Sequence, residues 1–230
     1  ASWRPESPVE QTLVPEGASK FPSYKAGQYM ALQRNDCRLT KKVVGEGKKI
    51  EYPTVLDAQG AVKRGAVTHS YSIASAPAEE TLRLCIREVP GGLLSPKLAD
   101  APEGMVLTFT GPHGYFTFKA SPRPAVFVAT GTGIAPFRSM AASGVSGFTL
   151  LHGVEQPEDL YYRDLVQPRA KEYVACLSGS SPASVAHYAG RVAGYVENHL
   201  PRRACVFHRM LGSLGRPAEA RAAPVGPRGG

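Results

Sequence analysis

The sequence predicts a two-domain chain, an antiparallel β-barrel followed by an α/β domain built on a parallel sheet. Three observations carry that expectation. Short apolar runs in the first half alternate with polar residues at period two, as half-buried strands do. From residue 124 the rhythm changes to short apolar strands separated by helical stretches, the pattern of a sheet wound by crossovers. Between the halves, "KASPRP" (119–124) sets two prolines and a serine where a boundary belongs. The expected division is 1–121, 122–212 and a tail at 213–230.

In the first half the strands are expected at "YKAGQYMALQ" (24–33), "THSYSIAS" (68–75), "TLRLCIREV" (81–89) and "MVLTFTG" (105–111). The third alternates most clearly, with Leu82, Leu84, Ile86 and Val89 mostly set against Arg83 and Arg87. Residues 34–66 form a long polar excursion that reads as a hairpin of its own. It carries Lys41, Lys42, Lys48, Lys49, Lys63 and Arg64. In the second half the strands are "PAVFVA" (124–129), "FTLLHG" (148–153), "YVACLS" (173–178) and "ACVF" (204–207), with helices at 134–143, 158–172 and 187–199. The tail is Arg, Ala, Gly and Pro with almost no large apolar side chain, a composition that reads as disordered.

Composition narrows the function. The 230 residues carry a net charge of +8, which attracts acidic partners, although the Arg-rich tail supplies part of it. No apolar run approaches the ~18 residues of a membrane helix, and "ASWRPESPVEQ" has neither half of a secretory signal. Four cysteines (Cys37, Cys85, Cys176, Cys205) lie far apart with no CxxC, which argues for reduced thiols in a cytoplasm and against a structural metal or iron–sulfur cluster. No G-x-S-x-G elbow or H-E-x-x-H pair supports a hydrolase.

The most informative stretch is "VFVATGTGIAPF" (126–137). Gly131 and Gly133 let backbone approach a phosphate-bearing group over a strand end, where the following N–H groups favour an anion. Alone, the turn is equally well a packing feature, and Pro136 stands where the dinucleotide fingerprint has its third glycine. In this setting, however, Thr130, Gly131, Thr132, Gly133 and Pro136 resemble the nicotinamide-nucleotide turn of the ferredoxin–NADP reductase family. The resemblance continues in order from about 24 to 200. "HSYSIAS" (69–75) is similar to the family's R-x-Y-S flavin strand, with His69 where arginine is usual. "VPGGLLS" (89–95) resembles the G-G-x-x-S segment on the flavin pyrophosphate, and "GPHGYF" (111–116) the G-P-x-G-x-F turn. "LLHGVEQPEDLYYRDL" (150–165) and "CLSGSSPASVAHYAGRVAGYV" (176–196) resemble the family's G-V-R…D-L-x-Y and G-R-V stretches.

This resemblance implies an FAD-dependent oxidoreductase. NAD(P)H would pass a hydride to FAD, which would release single electrons to ferredoxin, flavodoxin or another acidic carrier, with no nucleic-acid partner and no membrane insertion. It assigns Tyr71 and Ser72 to the flavin ring as the catalytic pair, and His69 and Ser70 to the same strand. Gly91, Gly92, Leu93, Leu94 and Ser95 fall on the pyrophosphate segment. Glu155, Ser178 and Arg191 fall on the coenzyme, and no metal is expected. The cofactors carry the redox chemistry and the protein supplies orientation, so Glu155, Glu158, Asp159 and Asp164 read as a solvated helix start rather than an acid–base cluster. Glu155 and Gly179 stand where NADP-preferring relatives place arginines, which points to NADH used at least as well as NADPH. Cys205 is not followed by the glycine the family carries on its last inner strand, and the tail resembles nothing in the family. The alternative is therefore a flavin-binding electron-transfer or regulatory subunit of a larger complex, with impaired pyridine-nucleotide turnover.

Overall fold

Strand β2 (Tyr29–Arg38) is the spine of the first half. The computed structural model describes residues 8–17, 19–45, 49–179, 187–199 and 206–211. The Lys25–Gln28 turn, with Gly27 at φ +103°, occupies the start of the stretch expected as strand, so β2 begins later and runs into the excursion. There β3 (Val43–Val44) pairs antiparallel with β4 (Ile50–Glu51), the hairpin expected of this segment. β5 (Arg64–Ser72) pairs with one side of β2 and β7 (Thr108–His113) with the other.

A second antiparallel sheet joins β1 (Val9–Leu13) to β6 (Leu82–Ile86), and the bridge Ile73↔Leu84 links it to the first. Between them lies one apolar core: Met30, Leu32, Cys37, Ile73, Leu82, Leu84, Ile86, Leu94 and Leu98. Val89, expected on the inner face of β6, is exposed beyond the strand's end. α1 (Ser95–Ala99) follows the Gly-Gly turn.

The second half is a five-stranded parallel sheet in the order β11-β10-β9-β8-β12. Its strands are β8 (Ala125–Thr130), β9 (Thr149–Val154), β10 (Glu172–Leu177), β11 (Tyr188–Ala189) and β12 (Val206–Leu211). The runs of buried residues in β8 and β9 are what a sheet covered on both faces requires. α2 (Ala135–Ala142) falls where a helix is expected, after a 3-10 turn at Gly131–Ile134. The helix expected over 158–172 is instead α3 (Arg163–Val166) between two 3-10 turns, Pro157–Asp159 and Gln167–Arg169. Tyr162 at φ +59° interrupts it on one side, and Pro168 cannot continue it on the other. α4 (Val192–His199) starts later than expected because Tyr188 and Ala189 extend the sheet. Cys205 and the tail at 213–230 lie outside the described residues.

The two halves share packing. Phe116 and Phe118 from the first half meet Phe137 and Phe127 of the second edge-on, at ring-centroid separations of 5.7 and 6.0 Å. Ala74 and Cys85 pack with Ala135 and Tyr162 in a small cluster of their own.

Candidate functional site

β8 sits between β9 and β12, so the chain's first strand in this sheet has neighbours on both sides that follow it in sequence. That is the switch point of a wound parallel sheet, and ligands bind outside the carboxyl ends of the strands there. The turn after β8 is Thr130–Gly133. Gly131 takes φ +50°, left-handed backbone that suits glycine. The first N–H groups of the helical stretch that follows have no partner within it. Gly133 and Pro136 are buried, so they offer a ligand backbone and shape rather than exposed side chains.

Glu155, Ser178 and Arg191 come to the same edge of the sheet, each exposed just beyond β9, β10 and β11. Gly179 donates its N–H to the Glu155 carbonyl at 2.9 Å. A Cβ at 179 would stand 2.6 Å from that carbonyl oxygen, so the two loops fit together only around a glycine. Gly153, in turn, lies against Val192, where a Cβ would meet Cγ2 at 2.5 Å, and this brings the start of α4 down onto the sheet.

In the first half, His69 and Tyr71 lie on the face of β5 opposite Leu32 and Met30, while Ser70 and Ser72 lie on the other face, opposite Ala31 and Tyr29. Tyr71 packs against the N-terminal core, and burial pushes its hydroxyl up to about 12, so it remains a hydrogen-bond donor across the physiological range. Ser72 is half-buried; Ser70 and His69 are exposed. The Gly-Gly turn closes through Gly92 N–H to the Val89 carbonyl at 2.7 Å, and Ser95 Oγ accepts from the Val89 N–H at 3.0 Å. Gly91 takes φ +70° with nothing within 4 Å of a Cβ, an open face on which a large group fits. Leu94 is fully buried beneath the turn and Leu93 half-buried. The open Gly91 face and the strand-end turn at 130–133 each leave backbone free to approach a phosphate-bearing group.

What the sequence did not single out is the polar contact between these two sites. Arg138 on α2 donates to the Ala74 carbonyl at 2.9 Å and to both carboxylate oxygens of Glu79. Ser139 Oγ donates to the Ser75 carbonyl at 2.6 Å. Tyr24 OH bonds the Ala76 carbonyl at 2.8 Å and Ser75 Oγ at 3.0 Å. The available signal was an arginine inside the apolar stretch "APFRSMAA".

Two domain matches give the class, an oxidoreductase with an FAD-binding half and an NAD-binding half. An oxidoreductase FAD-binding domain matches residues 34–118 and an oxidoreductase NAD-binding domain residues 127–200, together well over half of the chain. The chain belongs to the ferredoxin–NADP reductase family, and its two cofactors are FAD and a nicotinamide nucleotide. It is 37% identical over 166 residues to ferredoxin–NADP reductase B of Sorangium cellulosum, covering 67% of this chain and 65% of that protein. It is 33% identical over 141 residues to the toluate 1,2-dioxygenase electron transfer component of Pseudomonas putida, covering 56% of this chain and 41% of that protein. The chain thus spans two thirds or less of these relatives. A ferredoxin NADP+ reductase from Neisseria gonorrhoeae with bound FAD and NADP has the same fold, at a TM-score of 0.60 and 20% identity over 89% of this chain and 78% of that one. Among the described residues no helix is long and apolar enough to cross a membrane.

Proposed function

We propose that this chain is a reductase that takes a hydride from NAD(P)H onto FAD and delivers single electrons to ferredoxin, flavodoxin or a similar acidic carrier, in the cytoplasm. The observation that carries the reading is the direct hydrogen bonding of the helix behind the nucleotide turn to the strand end behind the flavin motif. Two cofactors held on those elements would meet at the seam between the halves. FAD, when bound, supplies the conversion of a hydride into two separately released electrons. The protein's part is binding and orientation. Tyr71 presents an aromatic ring and a hydroxyl that stays protonated, Ser72 presents a hydroxyl at the end of β5, and the glycine turns at 91–92 and 131–133 admit phosphates. No side chain is required to take up a proton for the hydride step. The first half of the chain also carries Lys41, Lys42 and Lys63, all exposed, in the excursion between β2 and β5, a surface suited to an acidic carrier.

The test is anaerobic. Protein loaded with FAD is mixed with NADH or NADPH, and loss of the oxidised-flavin absorption is followed before ferredoxin or flavodoxin is added. Reduction by a nicotinamide nucleotide, then reoxidation by the carrier, is the expected result. FAD bound but unreduced by either nucleotide would favour the electron-transfer or regulatory subunit instead.

A further inference from the structure

The nucleotide turn ends at Gly133, and five residues later Arg138 turns its side chain back toward the first half. β5 ends at Ser72, and the backbone just beyond it is what Arg138 and Ser139 hold, at the carbonyls of Ala74 and Ser75. Glu79 completes the arrangement, its Oε1 accepting from Arg138 Nη1 and from the Ala76 N–H at 2.7 Å, and its Oε2 from Arg138 Nη2 at 3.3 Å. Arg83 stands 3.5 Å from the same carboxylate. The Arg138 side chain is only 7% exposed, inside a helix whose other residues from 135 to 141 are buried as well.

A guanidinium in such a place is not there for stability alone. Desolvating it costs several kcal/mol by general experience, and an apolar pair of similar volume commonly holds two surfaces together at least as well. An apolar seam, however, tolerates small sliding. A planar fork bonded at once to a carboxylate and a carbonyl fixes direction and distance. The Tyr162 ring, 5.7 Å from the guanidinium carbon, packs the remaining side.

We propose that Arg138, acting through Glu79 and the Ala74 carbonyl, is a positioning residue that sets where the nucleotide turn stands against the flavin strand, and hence how nicotinamide meets flavin. The proposal rests on the hydride-transfer reading above. Burial works against ionisation of Glu79, but the bonds from Arg138 and Ala76 and the charge of Arg83 outweigh it and hold the carboxyl below its ordinary range. The contact is therefore charged on both sides at neutral pH.

The experiment compares wild type, Arg138→Met, Arg138→Lys and Glu79→Gln. In anaerobic stopped flow at saturating nucleotide, Arg138→Met is expected to slow flavin reduction about tenfold or more. The dissociation constants for FAD and nucleotide should stay within about twofold of wild type, and dithionite should reduce the flavin as before. The long-wavelength absorption of the flavin–nicotinamide complex should weaken in parallel. Glu79→Gln, which keeps shape and loses charge, should fall between, and Arg138→Lys should recover only part of the rate. A readout independent of turnover is calorimetry of the cofactor-free chain, where one unfolding transition in wild type should split in Arg138→Met. Unchanged reduction rates, or rates that fall only as far as cofactor binding does, would overturn the proposal. If wild type binds FAD but accepts no hydride, the hydride reading fails first and this proposal falls with it. A split transition in that case would show coupling of the halves without a positioning role.

Discussion

Arg38 donates from Nη2 to the carbonyl of Gly91 at 2.7 Å and from Nη1 to Thr54 Oγ1 at 2.8 Å. One side chain thus ties the Gly-Gly turn to the end of β2 and to the excursion. The family's motif places an arginine at the position of His69, which here is exposed on β5. The structure instead brings a permanently charged group to the Gly-Gly turn from another strand. Arg38→Met should loosen FAD by about tenfold, ~1.4 kcal/mol, from the lost charge and the freed turn together. Titration of the cofactor-free protein with FAD, followed by flavin fluorescence, measures it. An affinity within twofold of wild type would remove Arg38 from the account of FAD retention.

The two glycines of that turn should fail for different reasons. Gly91 has open space around it and φ +70°, so Gly91→Ala meets only backbone strain, ~1 kcal/mol. Gly92 has an ordinary φ, but a Cβ there would stand 2.8 Å from the Val89 carbonyl and 3.0 Å from Ser95 Oγ. Gly92→Ala must open the turn, and it should weaken FAD binding more than Gly91→Ala does. Equal affinities of the two variants would contradict the packing argument.

His152 gives a pH prediction with a definite sign. Fully buried in β9, it shares Nδ1 with Tyr173 OH at 2.9 Å, and burial pushes its value from 6.5 down to about 3. Above 6.5 the imidazole is neutral both folded and unfolded, and its contribution is fully present. Between 6.5 and about 3 the unfolded chain takes up a proton that the folded one refuses, so stability falls by up to ~1.4 kcal/mol per pH unit. Urea unfolding of wild type and His152→Phe between pH 7 and 5 should show a stability difference that changes with pH in this direction. A difference independent of pH refutes it.

The fold was legible where one physical signal dominated. Alternation marked β6, and buried apolar runs marked the parallel strands. The stretch at 158–172 misled because its composition suits a helix, whereas a left-handed Tyr162, which packs against Ala74, Cys85 and Ala135, and Pro168 divide it. Motif resemblance reached the residues expected to face cofactors. It did not reach Arg138, Glu79, Tyr24 or Arg38, which bond groups 51 to 64 residues away along the chain. Such contacts leave no local pattern. A charge in an apolar helix was the one hint.

The excursion makes a prediction about the carrier. Lys41, Lys42 and Lys63 are exposed, as are Val44, Ile50 and Tyr52 beside them, whereas Lys49 is already paired with Glu51 at 3.2 Å. If an acidic carrier docks here, its reduction should slow steeply with salt as the Debye length shrinks from ~10 Å at 0.1 M to ~3 Å at 1 M. Lys41→Glu with Lys42→Glu should lower the rate at low salt and flatten that dependence, while flavin reduction by the nucleotide stays unchanged. The same salt slope in wild type and variant would move the docking surface elsewhere.

Coenzyme choice turns on the 2′-phosphate, which carries close to two negative charges and is best held by an arginine fork. At the sheet edge the structure sets the exposed Glu155 directly against the loop that begins with Ser178 and Gly179, the Gly179 N–H being held by the Glu155 carbonyl. The contact fixes the Glu155 backbone beside the ends of β9 and β10. A carboxylate repels a phosphate and accepts from ribose hydroxyls. Arg191, exposed just before α4, supplies one opposing positive charge. One charge against the other leaves little net attraction for the phosphate, so NADH should reduce the flavin at least as well as NADPH. Glu155→Arg should shift the ratio toward NADPH by about tenfold, ~1.4 kcal/mol. Initial rates of flavin reduction with each coenzyme decide the matter, and a wild-type preference for NADPH above about tenfold would show that Glu155 does not govern the choice.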